Sequence, residues 1–146
     1  MKWNKRFQYP ASIRSVINGG RHYDINNTKL PSVTTILSAT GDKSGLIAWR
    51  KRVGEQEATR ISSEAAGLGT KVHNAIEKYI LGEEYEIKGN NVISEMARPM
   101  VNNMITEGVS KVDEIWGVEV GLIAKGLFAG TSDCIGVYEG KPTIID

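Results

Sequence analysis

The hydrophobic period of this chain changes from helical to alternating near Val112, and that change constrains the fold more than any other feature. Before it, Val72, Ala75, Ile76, Tyr79 and Ile80 recur at the spacing of a helix face. After it, Trp116, Val118, Val120 and Leu122 alternate as the residues of a strand do. Helices followed by a β-meander predict an α+β domain with helices on one face of a mixed or antiparallel sheet.

Punctuation residues divide the rest. Ile13 to Ile25 reads as a hairpin, Ser15-Val16-Ile17 and His22-Tyr23-Asp24-Ile25 about the turn Asn18-Gly19-Gly20. After Pro31, Ser32 is the expected N-cap of a short helix through Val33, Ile36 and Leu37. A second helix starts near Ser44, carries Leu46, Ile47 and Trp49, and stops at Gly54. Glu55 to Ala66 is helical in composition, and Gly67-Leu68-Gly69 is expected to break it before Thr70 caps the next helix. That helix closes at Leu81-Gly82. Val92 to about Glu107 forms another, where Pro99 predicts a kink or an interruption. Past the turn Ala124-Lys125-Gly126, Phe128 to Tyr138 is a second strand. Glu139-Gly140-Lys141 turns again, and Thr143 to Asp146 begins a third strand.

A chain of 146 residues fits a single domain, 1–146, with enough length to bury a core. Composition narrows the class: 40% hydrophobic and 24% charged residues are those of a globular chain rather than a disordered one. No apolar run is long enough for a membrane span, and the basic start Met1-Lys2-Trp3-Asn4-Lys5-Arg6 leads into no signal-peptide core. One cysteine, Cys134, excludes a disulfide framework and any cysteine-rich zinc or iron–sulfur site. The expected compartment is the cytoplasm, that of a bacterial host if the gene is a phage's. The net charge of +1 hides an asymmetry: residues 1–60 carry a surplus of 7 positive charges and residues 61–146 a deficit of 6. That pattern suits a polyanion-binding hairpin and helical part, 1–60, joined to a carboxylate-rich part, 61–146; two solvated faces of opposite sign would produce it equally.

The carboxylates fall at positions where strands place side chains together. Glu119 lies between Gly117 and Gly121, which are expected to leave space around it. Asp133 follows Ala129 and Thr131 on one face of the second strand, and Asp146 follows Ile144-Ile145 on the third. Neighbouring strands are about 4.8 Å apart, so the three can converge on a hard cation such as Mg²⁺ or Mn²⁺. His73, one helix turn before Glu77, is a fourth candidate ligand. Each of these residues, taken singly, also reads as an ordinary turn, edge or solvent-facing residue; their order and spacing carry the signal.

Gly69-Thr70-x-x-His73-x-x-x-Glu77, then Glu119, then Ala129-Gly130-Thr131-x-Asp133, then Ile144-Ile145-Asp146, resembles the motif series of the PD-(D/E)XK nuclease superfamily. It is similar, more narrowly, to the RecB-type exonucleases that include the mitochondrial genome maintenance exonuclease and relatives in marine phages. Pro31-Ser32-Val33-Thr34-Thr35-Ile36-Leu37, and Leu46 to Trp49 followed by Val53-Gly54, match the leader of that group.

The resemblance implies a restriction-endonuclease-like core, cut off here in its third core strand, and a metal-dependent exodeoxyribonuclease acting on single-stranded DNA or DNA ends. It assigns His73, Glu119, Asp133 and Asp146 to a catalytic Mg²⁺ or Mn²⁺ site. The family's last motif is Asp-x-Lys, and the sequence given ends at Asp146. A C-terminal complementing polypeptide is therefore an expected partner, and activity without it is in question. Lys43, Arg50, Lys51, Arg52 and Arg60 are the candidate phosphate contacts, while Trp49 reads either as a stacking platform or as core. Two other classes remain open: a catalytically inactive fragment that binds DNA or a protein partner, and a structural protein whose carboxylates coincide by chance.

Overall fold

The computed structural model describes all 146 residues, and the chain is α+β. It divides into two compact units. One contains Met1–Gly41 and Val112–Asp146, the other Asp42–Lys111.

The first unit holds two sheets. Strand β1 (Lys2–Trp3) runs parallel to β5 (Val112–Ala124), which pairs antiparallel with β6 (Phe128–Tyr138), and β6 with β7 (Lys141–Ile145). This makes a mixed sheet of order β1-β5-β6-β7. The smaller sheet is the meander β2 (Ile13–Ile17), β3 (Gly20–Ile25) and β4 (Thr28–Pro31). The expected hairpin is present, its turn formed by Asn18 and Gly19 at φ 50° and 78°, the left-handed pair that matches strand twist. The strand β4 is additional to the sequence expectation. It follows a second turn of the same kind at Asn26-Asn27, φ 51° and 62°, where asparagine substitutes for glycine.

Ser32 caps the helix α1 (Val33–Thr40): its Oγ accepts the Thr35 N–H at 3.0 Å, while the Ser32 N–H donates to the Arg21 carbonyl at 2.9 Å. The same residue bridges to Ala129 of β6. Tyr23, Ile25, Leu30 and Ala129 form the buried core there, and the Tyr23 hydroxyl meets Thr131 Oγ1 at 3.2 Å. The small sheet is thus fastened to β6 by both apolar burial and hydrogen bonds.

The second unit is helical: α2 (Ser44–Val53), α3 (Glu55–Leu81), α4 (Val92–Glu107) and a short 3₁₀ turn, Val109–Lys111. Val72, Ala75, Ala97 and Val101 are its core, with Leu68, Ile76, Tyr85, Ile87 and Ile105 packed around them. Gly54, at φ 88° and ψ 147°, ends α2 and starts α3. The expected break at Gly67-Leu68-Gly69 does not occur, and α3 runs through it for 27 residues. The two glycines cost about 1 kcal/mol each relative to alanine, and Leu68 offsets this by packing on the helical core. Gly82, at φ 75°, caps the helix, and α4 runs from Val92 to Glu107 through Pro99 without the interruption that the proline suggested.

Candidate metal centre

The β5–β6 ladder keeps one register from Gly117 to Ala124. Val118 is opposite Cys134 and Val120 opposite Ser132, which sets Glu119 level with Asp133. Residues directly opposite in an antiparallel pair present their side chains on the same face, and the carboxylate oxygens of Glu119 and Asp133 lie within 4.8 Å of each other. On the next strand Ile145 is opposite Cys134, so one further step in that register brings Asp146 level with Asp133. A row Glu119–Asp133–Asp146 therefore crosses three strands. Asp146 stands one residue beyond the ladder, and its carboxylate is outside the group that converges to within 4.8 Å.

Glu119 has φ 50° in the middle of a 13-residue strand. A residue with a β-carbon pays about 1–2 kcal/mol for that conformation, and no turn requires it, because the strand continues on both sides. Such strain persists only where surrounding structure imposes it.

The flanking glycines have a different role from the one expected. A Cβ on Gly117 would lie 2.7 Å from the Tyr9 ring, and one on Gly121 would lie 3.1 Å from the Pro10 carbonyl oxygen. The space is occupied by the segment that enters the small sheet. Glu119 is nonetheless exposed and Asp133 half-buried, so the pair is open to solvent. Cys134 beside it is buried. Burial, with the Asp133 charge second, pushes its thiol up to about 11. As the next residue on the strand, Cys134 lies on the opposite face of β6 from Asp133, in the core.

Two carboxylates this close repel each other when both are ionised, and Glu119 and Asp133 could hold a divalent cation that would offset that repulsion. All-oxygen donors suit Mg²⁺ or Mn²⁺. The remaining candidate ligand, His73, belongs to the helical unit. It sits exposed on α3, one turn before the half-buried Glu77.

The candidate phosphate contacts differ among themselves. Lys43 is the N-cap of α2, and Arg50, Lys51 and Arg52 form its last turn, where cations also complement the helix dipole. Arg50 pairs with Glu55 at 2.7 Å, and Arg60 is held between Glu57 and Glu64 at 2.6 Å each. Lys43, Lys51 and Arg52 are exposed, and Trp49 is half-buried.

Comparisons with protein-family models, with curated proteins and with solved structures return no match.

Proposed function

We infer that this chain carries the metal-binding part of a Mg²⁺- or Mn²⁺-dependent exodeoxyribonuclease of the PD-(D/E)XK type. The observation that carries the reading is the pair Glu119–Asp133, carboxylates within 4.8 Å on adjacent strands, with Glu119 in a left-handed backbone that its strand does not need. The motif series supports it and supplies two further ligands, His73 and Asp146.

Glu119 and Asp133, joined by His73 and Asp146 if the motif series holds, would hold the cation, which would supply polarisation of the scissile phosphate and acidification of a water. The protein's own contribution is placement. β5 and β6 hold the two carboxylates at a separation fixed by the ladder, Asp133 rests on a buried strand, and exposed Glu119 faces the approaching substrate. Exposed Lys43, Lys51 and Arg52 draw in the DNA backbone through its phosphates. By the resemblance, the activity also calls for a lysine beside the attacking water, and a complementing polypeptide is the partner proposed to supply it.

Calorimetry with Mn²⁺ tests the reading on the wild type and on Asp133→Ala. Heat is expected from the first and not from the second. Equal heats in both would overturn it. Degradation of linear single-stranded DNA with Mn²⁺, with and without a C-terminal partner supplying the lysine, then separates a nuclease from a metal-binding DNA holder.

A further inference from the structure

We propose that a cleft in the helical unit, lined by Lys71 and Lys78 of α3, binds the phosphodiester backbone of single-stranded nucleic acid. The proposal deepens the nuclease reading by locating a grip on the strand, and it rests on that reading for the choice of a polynucleotide. The cleft has a volume of about 300 Å³, and its walls include Thr70, Asn74, Tyr85 and Glu86 beside the two lysines. That is the lower end of the range for small-ligand pockets.

Helical spacing builds one wall. Thr70, Asn74 and Lys78 recur every four residues along α3, and Lys71 flanks them, so a hydroxyl, an amide and two ammonium groups line one stripe. These are hydrogen-bond donors of the kind that hold phosphate oxygens. The opposite wall is the connection after α3, and it is pinned. Arg98 donates to the Ile87 carbonyl at 3.1 Å and also to the Gly89 carbonyl, while Tyr85 and Ile87 pack on the helical core.

Lys71 distinguishes this cleft from a row of solvated lysines. It is half-buried, and its Nζ donates to Ser94 Oγ at 2.9 Å. Ser94 is itself fully buried, and its N–H is held by the Asn91 side chain at 2.9 Å. An ammonium has three donors; one anchors it to a neutral hydroxyl, which leaves its charge in place and its remaining donors to a ligand. Lys88, by contrast, is paired with Glu84 at 2.6 Å. Tyr85 also lines the cleft, half-buried and packed edge-to-face on Tyr79 at 5.1 Å. Glu86 is the one acidic residue lining it and opposes an anion there.

The test uses the full chain in EDTA, titrated with a short oligothymidylate across a range of salt. Lys71→Gln and Lys78→Gln are each expected to weaken binding several-fold and to reduce the log–log salt slope by about 0.7. Glu86→Gln is expected to tighten binding. Lys78 is exposed, so its variant decides the matter should Lys71→Gln unfold the unit. Unchanged affinity and slope in Lys78→Gln and Glu86→Gln would overturn the proposal. Thymidine monophosphate or inorganic phosphate binding as tightly as the oligomer would also overturn it, by showing a small-anion site. Mn²⁺ calorimetry on the same variants should match the wild type. Loss of the metal reading would appear in that measurement, and loss of the cleft in the oligonucleotide titration.

Discussion

Gly136 sits where β5 and β6 slip against each other, beside the register shift between Ile115 and Gly117. A Cβ added there would lie 2.0 Å from the Glu114 carbonyl oxygen, closer than any real contact, and the obstacle is backbone that cannot swing aside. Gly136→Ala should therefore cost about 1–3 kcal/mol by overpacking, read as a lowered Tm; an unchanged Tm would show that the bulge relaxes. At the start of α2, the Ser44 N–H and hydroxyl both donate to Asp42, each at 2.8 Å, and hold its carboxyl below its ordinary pKa. A depressed folded-state pKa gives stability that is present above the ordinary carboxylate range and is lost as pH falls through the folded value. Acid titration should thus loosen the first turn of α2, seen in the Ser44 amide resonance. Asp42→Asn should remove that dependence, and an identical titration in the variant would refute the assignment. Asp146 stands outside the converging group of carboxylates. The approach of Glu119 to Asp133, by contrast, was legible in the sequence, because alternation fixes which residues of a strand share a face and the short turn at Ala124-Lys125-Gly126 fixes the register. The left-handed backbone of Glu119 was not, since glutamate gives no local signal for positive φ. Lys71 was equally silent: a lysine on a helix reads as solvated until tertiary packing buries Ser94 beneath it.

Helix α3 shows how far local signals reach. Its ends were readable from Gly54 and Gly82, both at positive φ, but its middle was not, because glycine tolerated inside a helix and glycine ending one look alike in sequence. The difference is set by Leu68, which packs on Val72 and its neighbours and carries the helix through. Two substitutions separate the roles. Gly69 is within the helix and a Cβ there meets nothing within 4 Å, so Gly69→Ala should stabilise the protein by about 0.5–1 kcal/mol. Gly54 also has open space, but its φ of 88° and ψ of 147° lie in a region that glycine alone adopts readily, so Gly54→Ala should destabilise by about 1–3 kcal/mol. Thermal melts of the two variants should move in opposite directions, and shifts of the same sign would contradict the continuous helix or the strained corner. Strand β4 went unread for a related reason: the Asn26-Asn27 turn does the work of glycine without glycine's signature.

Across the molecule, the charge asymmetry of the sequence takes a different form once the units are drawn. Residues 42–111 carry ten basic and ten acidic side chains, and the β-rich remainder carries eight and seven. Neither unit is strongly basic, so attraction for a polyanion has to come from local groups whose charge is left standing, rather than from a unit-wide field. The ion pairs decide which groups those are. Arg60 is neutralised by Glu57 and Glu64, and Arg50 is paired with Glu55. Counterions released on binding number only the phosphates that protein cations newly neutralise, and an arginine already matched by carboxylates adds little to that number. Lys51 and Arg52, exposed in the last turn of α2, are in the opposite position. If the chain binds single-stranded DNA as proposed, Lys51→Gln and Arg52→Gln should each lower the log–log salt slope by about 0.7. Arg60→Gln should leave the slope nearly unchanged, even though it removes the same formal charge. The measurement is an oligonucleotide titration in EDTA at several salt concentrations. Equal losses from Arg52→Gln and Arg60→Gln would mean that net charge governs binding and that the pairing within α3 does not survive the approach of DNA.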